Sequence, residues 1–224
     1  VRVLDLYSCA GGATMGMIQA WPEAHVTGVD IKWQKNYCGH DFIQGDALAV
    51  ARRIGRKFDF IWASPPCQAY TRLKNIRGNG HLHPQLIEAT RNILCSIGVP
   101  WVIENVEDAP LINPVILCGT MFPELRVYRH RKFECSWGTP PPAGICNHTF
   151  AMGPSRGAYH RLDESEFITC CGHNFQAKSG KVALQIEWMT RDEMAQAVPP
   201  AYSRYIAEQY SQSLVVAAGA AHNL

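Results

Sequence analysis

With 224 residues, 47% of them hydrophobic and 18% charged, the chain has the size and balance of one well-packed domain with room for a small insertion, which excludes a fibrous, collagen-like or disordered protein. A formal net charge of +2 does not announce a nucleic-acid binder and says nothing of charge clustered locally. No apolar run approaches the roughly 20 residues of a membrane span, and nine cysteines, an odd number scattered with no secretory leader ahead of them, point to a reduced intracellular protein.

The first stretch, VRVLDLYSCAGGATMGMIQAW, reads as a strand from Val1 to Tyr7, a bend over Ser8 to Gly12, and a helix carrying Met15, Met17, Ile18 and Trp21. A glycine pair between a first strand and a first helix lets backbone approach a ligand beside a helix amino terminus. The next strand, HVTGVD, ends in Asp30, about 20 residues on, where dinucleotide folds place a carboxylate on ribose hydroxyls. The segment DFIQGDAL then offers Asp46, which suits either a hydrogen bond from an adenine amino group or the cap of a helix over Ala47 to Ile54.

Phe58 to Ala63 predicts a fourth, buried parallel strand that stops at Ser64, Pro65 and Pro66 and delivers Cys67. In an open α/β sheet the loops at the carboxyl ends of strands hold ligands and chemistry, so Cys67 is a candidate nucleophile. A lone cysteine is more often simply buried, and the rest of the chain must decide. From Tyr70 to His83 the chain reads as a loop with Arg72, Lys74, Arg77, Gly78 and Gly80, either a solvated basic loop or one that folds over a phosphate backbone. Pro84 to Ile97 predicts an amphipathic helix ending near Gly98. The strand PWVIENV follows and ends on Glu104 and Asn105, which would point a carboxylate into the crevice that Cys67 occupies.

PVILCGTMF is a further strand candidate, and in LRVYRHRKFEC the residues Arg129 and Arg131 lie two apart, so an extended chain turns both to one side. From Ser136 to Leu184 prolines and glycines replace periodicity. Cys146 and His148 in that segment invite pairing with Cys170 or Cys171 and His173 around a metal, but the spacings match no usual ligand pattern and no metal site is assigned. The tail reads as a short helix, a break at Pro199 and Pro200, and a final helix through Leu214. The organisation expected is an α/β domain over 1–135, a small recognition segment over 136–184, and helices over 185–224 that return to the domain.

In order, DLYSCAGG, GVD, GDAL, SPPCQ, ENV, RHR and AVPP resemble the motifs of the cytosine-5 DNA methyltransferases, most closely the short bacterial and phage members, over nearly the full length. The resemblance implies a Rossmann-like S-adenosylmethionine-dependent methyltransferase fold with a small, loop-rich target-recognition segment. It implies that Asp5, Tyr7, Ala10, Gly11 and Gly12 form the S-adenosylmethionine turn, that Asp30 holds the ribose and Asp46 the adenine, and that Ile31, Pro65, Gln196 and Ala197 complete the cofactor site. Cys67 would attack carbon 6 of cytosine, Glu104 would bind or protonate ring N3, and Arg131, supported by Arg129, would position the base or its phosphate. The thiol would then have a depressed pKa and the glutamate a raised one.

The sequence departs from the family pattern at Tyr7 and Cys9, where phenylalanine and glycine are usual, at Val127 in place of glutamine, and at Ala195 and Gln196 in place of glycine and asparagine. Gln196 leaves open a modified S-adenosylmethionine analogue as cofactor. Duplex DNA is the expected partner, with a single copy acting on a flipped-out base, in the cytoplasm of a bacterium or a phage-infected cell. The alternatives are an RNA cytosine-5 methyltransferase of the tRNA-modifying kind and an inactive DNA-binding regulator.

Overall fold

The computed structural model describes residues 1–70, 84–154 and 162–221. Its centre is a seven-stranded sheet in the order β3-β2-β1-β4-β5-β7-β6, with β1 at Arg2–Leu6, β2 at His25–Asp30, β3 at Asp41–Gln44, β4 at Phe60–Ala63, β5 at Trp101–Asn105, β6 at Val115–Cys118 and β7 at His130–Cys135. The first five strands run parallel, and β7 lies antiparallel between β5 and β6. The described helices are α1 (Gly12–Ala20), α2 (Ala47–Ile54), α3 (Ile87–Ile97), α4 (Ala177–Leu184), α5 (Arg191–Gln196) and α6 (Pro200–Ala221).

Alternation along the strands divides the core between the two faces of the sheet. Val3, Phe60, Trp62 and Val102 pack with Ala13 and Met17 of α1 and Tyr202 and Ile206 of α6. Leu4, Leu6, Ile61, Ala63 and Ile103 pack on the other face with Val50 of α2 and Ile93 and Leu94 of α3. Both faces of these central strands are covered, which is why they read in sequence as nearly unbroken apolar runs. The order reverses between β1 and β4: the chain winds outward from β1 to β3 and then returns to β4. That switch point opens a crevice beyond the carboxyl ends of the strands.

The elements expected from the sequence form, with shifts at their ends. The helix expected from Pro84 begins at Ile87 and stops at Gly98, whose φ of 80° supplies the left-handed turn of a helix terminus. The last helix starts at Pro200 itself and runs well past Leu214, because proline at a first helical position loses no hydrogen bond it could have made. Within 136–184, a two-residue pair of strands, β8 (Ala151–Met152) and β9 (Glu166–Phe167), is the only sheet among the described residues. Ile168, Cys170, Phe175, Ala183 and Leu184 from the same stretch pack into the core against the α1 face of the main sheet.

Candidate active site

The loop from Tyr7 to Gly12 joins β1 to α1 in an unusual backbone. Tyr7, Cys9 and Gly11 have φ values of 60°, 46° and 86°, a region that side chains with a Cβ rarely enter and that clusters at functional sites. At Gly11 an added Cβ would lie 2.7 Å from the sulfur of Cys38. At Gly12 a Cβ would meet the carbonyl oxygen of Val198 at 2.3 Å, so this glycine also lets α1 pack against the 197–199 segment. The Ala10 carbonyl accepts a hydrogen bond from Trp188 Nε1 at 2.8 Å, a second tie between the loop and the tail.

Asp5 is fully enclosed. Thr14 Oγ1 donates to its Oδ2 at 2.6 Å, while its Oδ1 and the hydroxyl of Ser8 are buried with no hydrogen-bond partner among the described residues. Burial, reinforced by Asp30 and Glu104, pushes the Asp5 carboxyl up to about 7. Orphaned acceptors of this kind fit a ligand that brings donors or positive charge, and the ammonium and sulfonium of S-adenosylmethionine supply both. Asp30 ends β2 and receives the amides of Cys9 at 3.1 Å and Lys32 at 3.0 Å, and each oxygen keeps a lone pair for a hydroxyl. Beside it Ile31 is 66% exposed, an apolar surface on which an adenine ring could lie.

Asp46 caps α2, its Oδ1 accepting from Ala49 N at 2.7 Å. Of the two roles open to it in the sequence, this is the one its geometry displays. Tyr7 reaches sideways to α3, its hydroxyl 3.1 Å from Thr90 Oγ1. Gln196 is an exposed residue at the end of α5, and Ala197 is buried behind it.

Cys67 stands half-buried just beyond β4. Its loop is tied to β5 by Asn105, whose Nδ2 donates to the Pro65 carbonyl at 2.8 Å. Glu104, 5% exposed, forms an ion pair with Arg131 of β7, Oε1 to Nε 3.0 Å. The thiol lies within the electrostatic reach of Arg131, Glu104 and Arg129, so residues 67, 104 and 131 share one corner of the crevice. Burial raises the Glu104 pKa, against the pull of Arg131 and a hydrogen bond from Ser64, in the direction the sequence suggests. The thiol departs from expectation: burial raises its pKa too, with Arg131 opposing and Glu104 adding to the rise. Desolvation outweighs the guanidinium, so the protein without substrate holds a protonated thiol.

Arg129 does not join Arg131 in the crevice. It precedes β7, is 3% exposed, and spends its guanidinium on backbone carbonyls: Nη1 on Met194 at 3.2 Å and Ala197 at 2.6 Å, Nη2 on Cys170 at 2.8 Å and Ala195 at 2.5 Å. It is a positioning residue that fixes α5 and the following turn. Val127, where the family pattern has glutamine, is wholly buried and bridges to Ile168.

The cations of the expected basic loop, Arg72, Lys74 and Arg77, lie outside the described residues. Cys170, Cys171 and His173 do not face Cys146 and His148: Cys170 is buried beside Arg129 and His173 Nδ1 lies 3.0 Å from Arg191 and 3.4 Å from Asp192. Thr14 carries no signal of its own in the sequence, and Asn105 enters there only as the middle residue of ENV, without its clamp on the Pro65 carbonyl. Only a threonine one turn into the first helix, and an amide beside the carboxylate of ENV, could have pointed to them.

No protein-family model matches the chain, and no curated protein does either. Among solved structures it is similar to the Entamoeba histolytica methyltransferase EhMeth, with a TM-score of 0.60 and 12% identity over 95% of this chain and 98% of that one. The Rossmann-like α/β fold of a methyltransferase is therefore the fold of this chain. A second similarity, to the MycE methyltransferase of the mycinamycin biosynthetic pathway in complex with Mg and SAH, has a TM-score of 0.36 at 20% identity over 63% of this chain and 44% of that one, too partial an overlap to carry an argument.

Proposed function

We propose that this protein transfers a methyl group from S-adenosylmethionine to carbon 5 of a flipped-out cytosine in duplex DNA. The observation that carries the reading is the corner where Cys67, at the end of β4, meets the Glu104–Arg131 pair bridging β5 and β7, beside a strained glycine turn with unpartnered buried acceptors. Asp5, Ser8 and the Gly11 turn would hold the amino-acid end of the cofactor, Asp30 the ribose, and Ile31 the adenine, whose amino group Asp46 would meet with the carboxylate oxygen other than the Oδ1 that caps α2. Bound there, the cofactor supplies an electrophilic methyl group.

Carbon 5 of cytosine is too weak a nucleophile to take that group unaided. The Cys67 thiol gives its proton to solvent as its sulfur bonds to carbon 6, Glu104 holds a proton at N3, and Arg131 holds Glu104 in place; the electron density released reaches carbon 5. Carbon 5 takes the methyl group as the methyl–sulfonium bond breaks, leaving S-adenosylhomocysteine; a base then removes the carbon 5 proton and the sulfur–carbon bond breaks, returning the thiolate. Face-on attack requires the base to leave the stack. Every group named lies on one chain, so a monomer suffices.

The test is incubation of the purified protein with duplex DNA and S-adenosylmethionine, followed by nucleoside mass analysis. 5-Methylcytosine is expected in the DNA; unmodified DNA beside methylated tRNA would assign the substrate to RNA, and a heavier adduct would assign a modified cofactor. The variant Cys67→Ala is expected to abolish both the product and the covalent complex with 5-fluorocytosine DNA. A covalent complex that survives would identify another nucleophile.

A further inference from the structure

The irregular stretch after β7 meets the sheet at a cluster that the reading above does not use. Cys118, the last residue of β6, pairs in register with His130, the first of β7, so both side chains leave the same face of the sheet edge. Cys146 and His148, two residues apart in a stretch that is neither helix nor strand, approach the same point. One ligand atom from each of the four lies within 4.8 Å of every other. Cys118 Sγ is 3.3 Å from His148 Nε2, His130 Nε2 is 3.3 Å from Cys146 Sγ, and Cys146 Sγ is 3.2 Å from His148 Nε2.

We propose that Cys118, His130, Cys146 and His148 form a structural zinc site. A tetrahedral zinc with Zn–S near 2.3 Å and Zn–N near 2.0 Å sets sulfur-to-nitrogen edges of roughly 3.5 Å, close to the three separations observed. Two thiolates and two neutral imidazoles match zinc and exclude calcium and magnesium, which take oxygen ligands. Four protein ligands close the coordination sphere, which marks a structural rather than a catalytic site. Thr120 supplies the outer layer: its hydroxyl lies 3.4 Å from Cys118 Sγ and 3.8 Å from Cys146 Sγ, and it accepts the Asn147 amide at 3.1 Å. The His148 ring packs against Tyr128 and His130, with centroids 4.7 and 4.9 Å away.

The segment has a physical need for such a staple. Residues 144–150 are all exposed, Ile145 at 89% and Phe150 at 40%, so apolar burial contributes little to holding them in place. A metal bound only by the folded arrangement contributes its binding free energy to folding. It would fasten this stretch one residue from Arg131, and so connect the region expected to meet nucleic acid to the strand that carries the Glu104 partner.

The chain, expressed without a polyhistidine tag, is analysed for metal by mass spectrometry and then reconstituted with cobalt. Stoichiometric zinc is expected, together with the intense visible bands of tetrahedral cobalt and a sulfur-to-cobalt charge-transfer band. The double variant Cys146→Ser/His148→Ala alters two exposed side chains, so it is expected to keep its far-ultraviolet dichroism and lose the metal. The control Cys171→Ser/His173→Ala is expected to keep it. Metal retained in the first variant, a weak octahedral cobalt spectrum, a disulfide joining Cys118 to Cys146, or a folded protein that takes up no zinc would each overturn the assignment.

Discussion

The Cys67 thiol lies under opposed influences: burial and Glu104 raise its pKa, and Arg131 and Arg129 lower it. The protonated thiol is favoured in the free protein, and the thiolate becomes available as pH rises. Alkylation by iodoacetamide reads this directly, since only the thiolate reacts. Glu104→Gln removes a negative charge and is expected to move the pH midpoint of alkylation down, whereas Arg131→Met is expected to move it up. A midpoint indifferent to Arg131 would mean that the guanidinium serves Glu104 alone. In turnover, Glu104→Gln is expected to lose about 10²–10⁴-fold, the usual contribution of a positioned acid. The direction of the Glu104 shift suits such a role, because a carboxyl that resists ionisation is readier to share its proton with ring N3.

Arg129 connects elements rather than reacting groups. Its guanidinium gathers carbonyls from the C-terminal end of α5 and the residue after it, and from Cys170, and the Tyr202 hydroxyl of α6 donates back to the Arg129 carbonyl at 2.5 Å. Arg129→Met would leave buried carbonyls unpaired at roughly 1–3 kcal/mol each, so a loss of about 3 kcal/mol or more in urea unfolding is expected. Unchanged stability with lost turnover would place Arg129 on the substrate instead. This distinction was not legible in the sequence. Two arginines at alternate positions share a side only inside a strand, and β7 begins after Arg129. Likewise Cys118 and His130 lie in strand patterns that show no metal-ligand spacing, because the register that brings them to Cys146 and His148 is a property of the sheet. Strands, helices and the order of motifs were legible, since apolar runs and turn residues are local signals. What pairs with what across β6 and β7 is not local.

Taken as a molecule, the protein gathers Asp5, Asp30 and Glu104 at one end of a sheet whose central strands are covered on both faces, and Asp30 and Glu104 both raise the cost of ionising Asp5. The overall charge of +2 hides this concentration. Thr14 is the group that favours the Asp5 carboxylate, and Tyr37, whose hydroxyl lies 3.1 Å from Thr14 Oγ1, completes the enclosure. The Asp5 pKa of about 7 exceeds its ordinary value of 3.8, so the folded protein holds a proton that the unfolded chain releases. Stability therefore falls as pH rises from near 4 to about 7, by about 4 kcal/mol at most from this group, at about 1.4 kcal/mol per pH unit. Asp5→Asn is expected to remove that fall and to be more stable than the native chain above pH 7. A cationic ligand on Asp5 would favour the carboxylate and release the proton on binding. The thermal stabilisation by S-adenosylmethionine should then grow as pH rises through 7 in the native protein and lose that dependence in Asp5→Asn. A shift independent of pH in the native protein would place the positive charge of the cofactor away from Asp5, while leaving the fall in stability of the free protein to be measured separately.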